Sequence, residues 1–324
     1  MFGLKQIRTN SLQKILLFND DSGESVTIYP EFGANVSQLT LKHNGKLIEI
    51  LDGNSSRKEF CDKNIFKGAK LFPFTNRIPN GKFKFHEMEY HFPLNYPEEN
   101  NACHGFIFNK NFELNEYGIE KDRVWMQLKY IYSGKESWYP FPFHFNIRYS
   151  LEKSGFICEN TVINSGGHVM PIADGWHPFI TLNSKLDNLK LKFQAHLIYE
   201  TDERLIPSGD TKPYEKFGEL EPIGKTEFDS SFLLQDSGKE VHEVVMHDPA
   251  KDLLVKLWQE TGKNKYNYLH LYTPPHRNSI AVEPMTGIAN AFNNEIGLIR
   301  LQTHEQFNAK YGIQLVQEGT LYRQ

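Results

Sequence analysis

Residues 25–51 read SVTIYPEFGANVSQLTLKHNGKLIEIL. Apolar and polar side chains alternate in short runs. Pro30-Glu31-Phe32-Gly33 breaks the pattern, and an Asn44-Gly45 dipeptide precedes KLIEIL. Period-two alternation puts one face of a strand in a core, and Asn-Gly supplies the positive φ angles of a tight hairpin. The stretch therefore reads as strand, turn, strand, hairpin, strand. The pattern recurs along the chain. NGKFKFHEMEYHFPL (80–94) alternates around the Asn80-Gly81 turn, with Phe83 and Phe85 on one face. The segments 112–132, 143–164, 252–260 and 266–274 alternate as well. No segment sustains a 3.6-residue amphipathic period, and short helical turns are expected only near 286–294 and 303–310. No Pro/Ser-rich linker, composition change or short-period repeat divides the chain. The expected architecture is all-β, one large antiparallel β-sandwich domain over residues 1–324, with a concave, half-solvated sheet face suited to a carbohydrate.

Composition narrows the function classes. The 36 Lys and Arg against 40 Asp and Glu give a net charge of −4. No basic field points to nucleic acid or an anionic membrane. Aromatic residues are 13% of the chain, which suits both a Phe-rich core and sugar stacking. Packing accounts for most of them. Cys61, Cys103 and Cys158 have no C-x-x-C spacing, so neither a disulfide framework nor a zinc site is expected, and a reducing compartment fits. The first 21 residues hold no apolar run of signal-peptide or membrane length, which makes the cytoplasm the expected location. Two Asn-x-Ser triplets, at Asn35 and Asn54, then carry no glycosylation meaning.

Several motif readings fail on spacing. HEVVMH (242–247) has three residues rather than two between Glu243 and His247, and it alternates like a strand, so a zincin helix is rejected. Gly224-Lys225-Thr226 resembles the tail of a phosphate loop, but Glu219 stands where the upstream glycine is needed. Neither a G-x-S-x-G elbow nor a dinucleotide fingerprint occurs. What remains is a scatter of polar residues in apolar or turn settings. Asn76-Arg77 follows LFPF, and His104 sits in NACHGF. Asp229 lies in FDSSF, His177 in MPIADGWHPFITL, and Glu283 in SIAVEPMTG. Taken singly, each also reads as a satisfied core or surface group, Arg77 as an ion-pair partner. Spacing alone does not bring them together.

At these residues the chain resembles the aldose 1-epimerase (galactose mutarotase) family. LFPFTNRIPNGKF (71–83) is similar to the family's Pro-x-x-Asn-Arg-Ile stretch with its following glycine and hairpin. CHGF (103–106) resembles its His-Gly element. Residues 164–182 carry its Asn, Met-Pro and Gly-x-His-Pro elements in order. Ile206–Gly209 resembles its Pro-x-Gly turn, FDSSF its aspartate segment, and AVEPMTGIANAFN (281–293) its Glu-Pro-Met-Thr stretch. In the closing strand, Thr303-His304 replaces a Pro-Gly that members often carry. The resemblance runs from about residue 25 to the C-terminus. It implies a galactose mutarotase-like supersandwich that interconverts the anomers of a free hexose such as galactose or glucose. By residue, it implies His177 as general acid and Glu283 as general base, with Asn76, Arg77, His104 and Asp229 holding the sugar.

That reaction suits these residue types. Anomers exchange when a proton reaches the ring oxygen and another leaves the anomeric hydroxyl. The open aldehyde then turns about C1–C2 and closes on its other face. Two proton-transfer groups suffice, so no metal or cofactor is expected. Imidazole exchanges protons near neutrality, while Arg77 and Asp229 offer donors and acceptors to hydroxyls. Trp176 or Trp138 could stack on the sugar, with packing the stronger reading for Trp176. The expected partner is a small sugar, neither nucleic acid nor membrane, with the protein a monomer or homodimer. Three other readings stay open: a hexose-6-phosphate 1-epimerase, a non-catalytic sugar-binding or sensing module, and a polysaccharide-processing enzyme. The short loops speak against the last.

Overall fold

Asn44 and Gly45 both take left-handed backbone conformations, with φ of 48° and 78°, as a type I′ turn requires. They join strand Asn35–His43 to Lys46–Glu49, with His43 opposite Lys46. The odd spacing between buried Val36 and Leu39 is resolved by a register shift. Ile28 faces Val36 but Thr27 faces Gln38, so a bulge turns both side chains inward. The structure is a computed structural model that describes residues 1–9, 12–61, 65–236 and 238–316. The hairpin closes a five-stranded sheet that begins with Phe2–Thr9 and Leu12–Asn19.

Two larger sheets and three two-stranded ones carry the rest of the architecture among the described residues. The nine-stranded sheet is centred on Phe143–Glu152, Gly155–Asn164 and Gln306–Val316. The eight-stranded sheet runs in the order Pro207–Pro213, Ala195–Thr201, Asp229–Leu234, Tyr268–Tyr272, Ile280–Met285, Gly175–His177 and Ala69–Leu71, with Phe179–Ile180 also paired to Ile280–Met285. Every strand pairing in the three largest sheets is antiparallel. This is the all-β, large antiparallel sandwich expected from the alternation. No helix among the described residues is long and apolar enough to cross a membrane.

The strand period gives the eight-stranded sheet two different faces. Trp176 points inward, fully buried, and stacks on Tyr311 of the nine-stranded sheet with ring centroids 4.9 Å apart. Its neighbours in sequence, Gly175 and His177, point the other way. Lys70, paired with Trp176 in register, is also fully buried, and its Nζ lies 3.4 Å from Asp174 Oδ2 and 3.2 Å from Tyr311 Oη. Asp174 accepts further hydrogen bonds from Tyr266 Oη at 2.6 Å and Asn160 Nδ2 at 2.8 Å. These bonds converge on Asp174 Oδ2, leaving its Oδ1 without a partner, and the network ties the two sheets together. Asp174 and Thr286 then clasp each other. Asp174 N donates to Thr286 Oγ1 and Thr286 N to Asp174 O, both at 2.9 Å. That clasp fixes the approach to His177 against the exit from Glu283.

Two local expectations are corrected, and one is borne out. Residues 303–310 form no helical turn; a turn at 303–304 leads into strand Gln306–Val316. Phe307, Ala309, Tyr311 and Ile313 are buried every second residue, a strand period that the polar Asn308 and Lys310 obscure. The short helical turn expected near 286–294 is present as Ala291–Asn294. Pro207, Ser208 and Gly209 open strand Pro207–Pro213, and the turn lies before them, with Leu205 N bonded to Asp202 O.

Candidate active site

The outward face of the eight-stranded sheet carries one row of side chains in register. His177 faces Ala69. On its other side Phe179 pairs with Ala281 and Gly175 with Met285, an antiparallel register that sets His177 opposite Glu283. Glu283 in turn faces His270, and His270 faces Ser231. The row Ala69, His177, Glu283, His270, Ser231 thus crosses five strands, with neighbours close enough to touch. His177 Nε2 lies 3.3 Å from Glu283 Oε1. His270 Nε2 lies 3.2 Å from Asp229 Oδ1, and its Nδ1 lies 2.9 Å from Ser231 Oγ.

The rim comes from two segments paired antiparallel, Arg77–Pro79 and Asn101–Cys103. Asn76 and His104 just beyond the pairing hold each other. His104 N donates to Asn76 O at 2.9 Å, and Asn76 N donates to His104 Nδ1 at 3.2 Å. Both residues have positive φ, 54° and 61°, a conformation Asn and His tolerate better than most. Gly105 follows at φ 68°, where a Cβ would sit 2.0 Å from Phe72 O; only glycine fits. Asn76 Oδ1 accepts from Arg77 N at 2.8 Å and from an Arg77 terminal nitrogen at 3.2 Å. Arg77 Nε reaches Glu99 at 3.5 Å.

Row and rim enclose a pocket of about 310 Å³, at the small end of ligand sites. All six residues singled out in the sequence line it: Asn76, Arg77, His104, His177, Asp229 and Glu283. Burial dominates the electrostatics. It drives His177 down to about 3, with help from the charge on His270, and drives Glu283 up to about 8 against the pull of His270. Burial, then His177 and Arg77, hold His104 well below the usual imidazole value. His270 moves the other way: burial disfavours its charge, but Glu283 and Asp229 outweigh it. Asp229 ends lowered, because the bond to His270 and nearby cations overcome its burial. Glu283 Oε2 and His177 Nδ1 have no hydrogen-bond partner in the protein. Among the described residues, no group of three or more His, Cys, Asp or Glu side chains is arranged to hold a metal ion.

The sequence reading missed His270. Its strand was read correctly from alternation, but nothing marked the one polar side chain sharing a face with Tyr268 and Tyr272. Leu205 and Tyr96, also in the lining, come from loops and carried no signal. The tryptophans take packing roles. Trp176 is in the core, and Trp138 packs on Phe106 and Phe92 at centroid distances of 5.0 and 5.4 Å.

A family model for aldose 1-epimerases matches residues 14–314. The protein YihR of Escherichia coli K12 is 27% identical over 255 residues, 76% of this chain and 79% of that protein. Human galactose mutarotase is 24% identical over 227 residues, which is 65% of this chain and 64% of that protein, just under two thirds. Among solved structures, a galactose mutarotase-like protein from Clostridium acetobutylicum superposes with a TM-score of 0.86 at 22% identity, covering 98% of this chain and 99% of that one. The galactose 1-epimerase of Lactobacillus acidophilus superposes with a TM-score of 0.78 at 16% identity, covering 98% of each chain. At these identities the superpositions speak for the fold. The class they define is a large antiparallel β-sandwich of the galactose mutarotase-like fold. The chain belongs to the aldose 1-epimerase family.

Proposed function

We propose that the protein is a cofactor-free aldose 1-epimerase that interconverts the α and β anomers of a free hexose such as galactose or glucose. The observation that carries this reading is the His177–Glu283 pair, 3.3 Å apart on the floor of a pocket of about 310 Å³. Between about pH 3 and 8 the pair holds one shared proton, since coupled groups titrate as a unit. That is the count ring opening needs: one proton to give and one acceptor to fill. With a sugar bound, His177 delivers its proton to the ring oxygen and Glu283 takes the proton of the anomeric hydroxyl. The aldehyde turns about C1–C2, and both protons return as the ring closes. Arg77, His104, Asp229 and Asn76 hold the remaining hydroxyls. The unpartnered Glu283 Oε2 is the atom left to meet the substrate.

The lining favours a neutral sugar over a hexose 6-phosphate. It brings Glu99, Asp229 and Glu283 together with Arg77 and no lysine, a poor balance for a dianion. A mere sugar-binding module needs no proton-transfer pair. Polarimetry or NMR on freshly dissolved α-galactose and α-glucose, with glucose 6-phosphate in parallel, tests the proposal. A rate no greater than buffer on every sugar overturns it, and a preference for the phosphate overturns the neutral-sugar part.

A further inference from the structure

His270 occupies a place in the row that neither sugar binding nor the two-residue proton exchange uses. It is 6% exposed, and both ring nitrogens are engaged, Nε2 by Asp229 at 3.2 Å and Nδ1 by Ser231 Oγ at 2.9 Å. Across the strand it faces Glu283. A carboxylate accepts and never donates, so Nε2 carries a proton toward Asp229. The Ser231 hydroxyl can accept from Nδ1, which lets the ring donate from both sides as an imidazolium.

The charge around it favours that form. Two carboxylates face the ring, Glu283 from strand Ile280–Met285 and Asp229 from strand Asp229–Leu234. The other titratable groups lining the pocket are His177 on Glu283's opposite side, Arg77, Cys103, His104 and Glu99 at the rim, and Tyr96 and Tyr272. His177 and His104 are buried and neutral, and burial holds the Cys103 thiol protonated. Arg77, which is shared with Glu99, is thus the one other cation beside Glu283 and Asp229. A second positive charge at His270 balances them.

Resting on the epimerase reading of this pocket, we propose that His270 is a positioning residue, an imidazolium fixed by Ser231 and Asp229 that weakens the hold of Glu283 on its proton and keeps Asp229 turned toward the sugar. It touches neither reacting oxygen. It lies directly across from Glu283 and one strand further from His177, so its charge loosens the carboxyl's proton more than the imidazole's and eases transfer toward His177 as the ring opens. A neutral ring would leave that proton held on the carboxyl more tightly.

The test replaces the charge and keeps a donor. In His270→Gln the amide still reaches Asp229 but carries no charge. A unit charge at cross-strand distance, in an effective dielectric of about 20, is worth roughly one to two pH units. The alkaline limb of kcat/KM for galactose mutarotation is expected to move up by that amount. The neutral-pH rate is expected to fall about ten- to a hundredfold. A Gln variant with wild-type rate and an unmoved limb shows that His270 only fills space, and overturns the proposal. A second measurement needs neither a variant nor turnover. In wild-type protein with ¹³C,¹⁵N-labelled histidine, the His270 ring is expected to be doubly protonated at pH 7, and a neutral ring there overturns the proposal. A wild-type protein without mutarotation instead overturns the epimerase reading, while the ring spectrum still reports the charge.

Discussion

His177 and Glu283 stand opposite each other on adjacent antiparallel strands, 3.3 Å apart, and each keeps one buried polar atom without a protein partner. The arrangement sets an imidazole and a carboxyl at one depth of one pocket, held by backbone pairing rather than by loops. His177→Ala and Glu283→Gln are each expected to lower kcat for mutarotation by about 10² to 10⁴. The double variant should lose little more than either single one, because the two act as a unit. Initial rates by polarimetry check this, and retained turnover in either single variant removes that residue from its role.

The rate should be level through neutral pH and fall above about 8, where Glu283 releases the shared proton. Above that point nothing remains for His177 to deliver. The pH dependence of kcat/KM, corrected for buffer catalysis, measures the limb.

Stability has its own pH signature. His177 falls from 6.5 to about 3 on folding, so its contribution is present above 6.5 and lost as pH falls toward 3. Glu283 rises from 4.5 to about 8, so its contribution is present below 4.5 and lost as pH rises toward 8. From 4.5 to 6.5 the slopes cancel, leaving a plateau flanked by changes of about 1.4 kcal/mol per pH unit. Urea denaturation across pH should show the plateau in wild type. A His177→Gln, Glu283→Gln double variant should lose both flanks relative to it.

Arg77 presents a planar fork of donors at the rim. Arg77→Lys keeps the charge and loses the fork, and KM is expected to rise about tenfold with kcat changed less, equivalent to about 1.4 kcal/mol of binding. Steady-state kinetics separates the two, and a fall in kcat alone would contradict a holding role.

Two variants test the frame rather than the chemistry. Trp176→Ala empties a fully buried site against Tyr311 and should cost about 3 to 5 kcal/mol in denaturant unfolding. Gly105→Ala forces a Cβ onto Phe72 O at positive φ and should destabilise by more than about 1 kcal/mol. It should also weaken sugar binding, because His104 must shift with its neighbour.

Much of this was written in the sequence as periodicity. Alternation and Asn-Gly signals revealed the strands and the hairpin at residue 44, because a two-residue turn has few chemical solutions. The six pocket residues were visible only through family resemblance. Each taken alone looked like an ordinary strand-end side chain, since His177 and Glu283 are 106 positions apart in the sequence. Register brings them together, and register over such distances leaves no local mark. His270 stayed hidden for the same reason, inside a strand whose pattern was otherwise plain. Residues 306–310 read as a helical turn because the polar Asn308 and Lys310 alternate with the buried side chains of that strand.

The in-register row has a consequence for how this protein can change over generations. A one-residue insertion or deletion within any of its strands turns every side chain beyond it to the opposite face. Such an event would put Trp176 or Val282 at the pocket floor and a charged group in the core, so fold and activity would fail together. Point substitution is the route that alters the row one position at a time. Lineages descended from this chain should therefore vary in the row's chemistry while keeping strand lengths fixed, with length differences confined to the loops at the pocket rim.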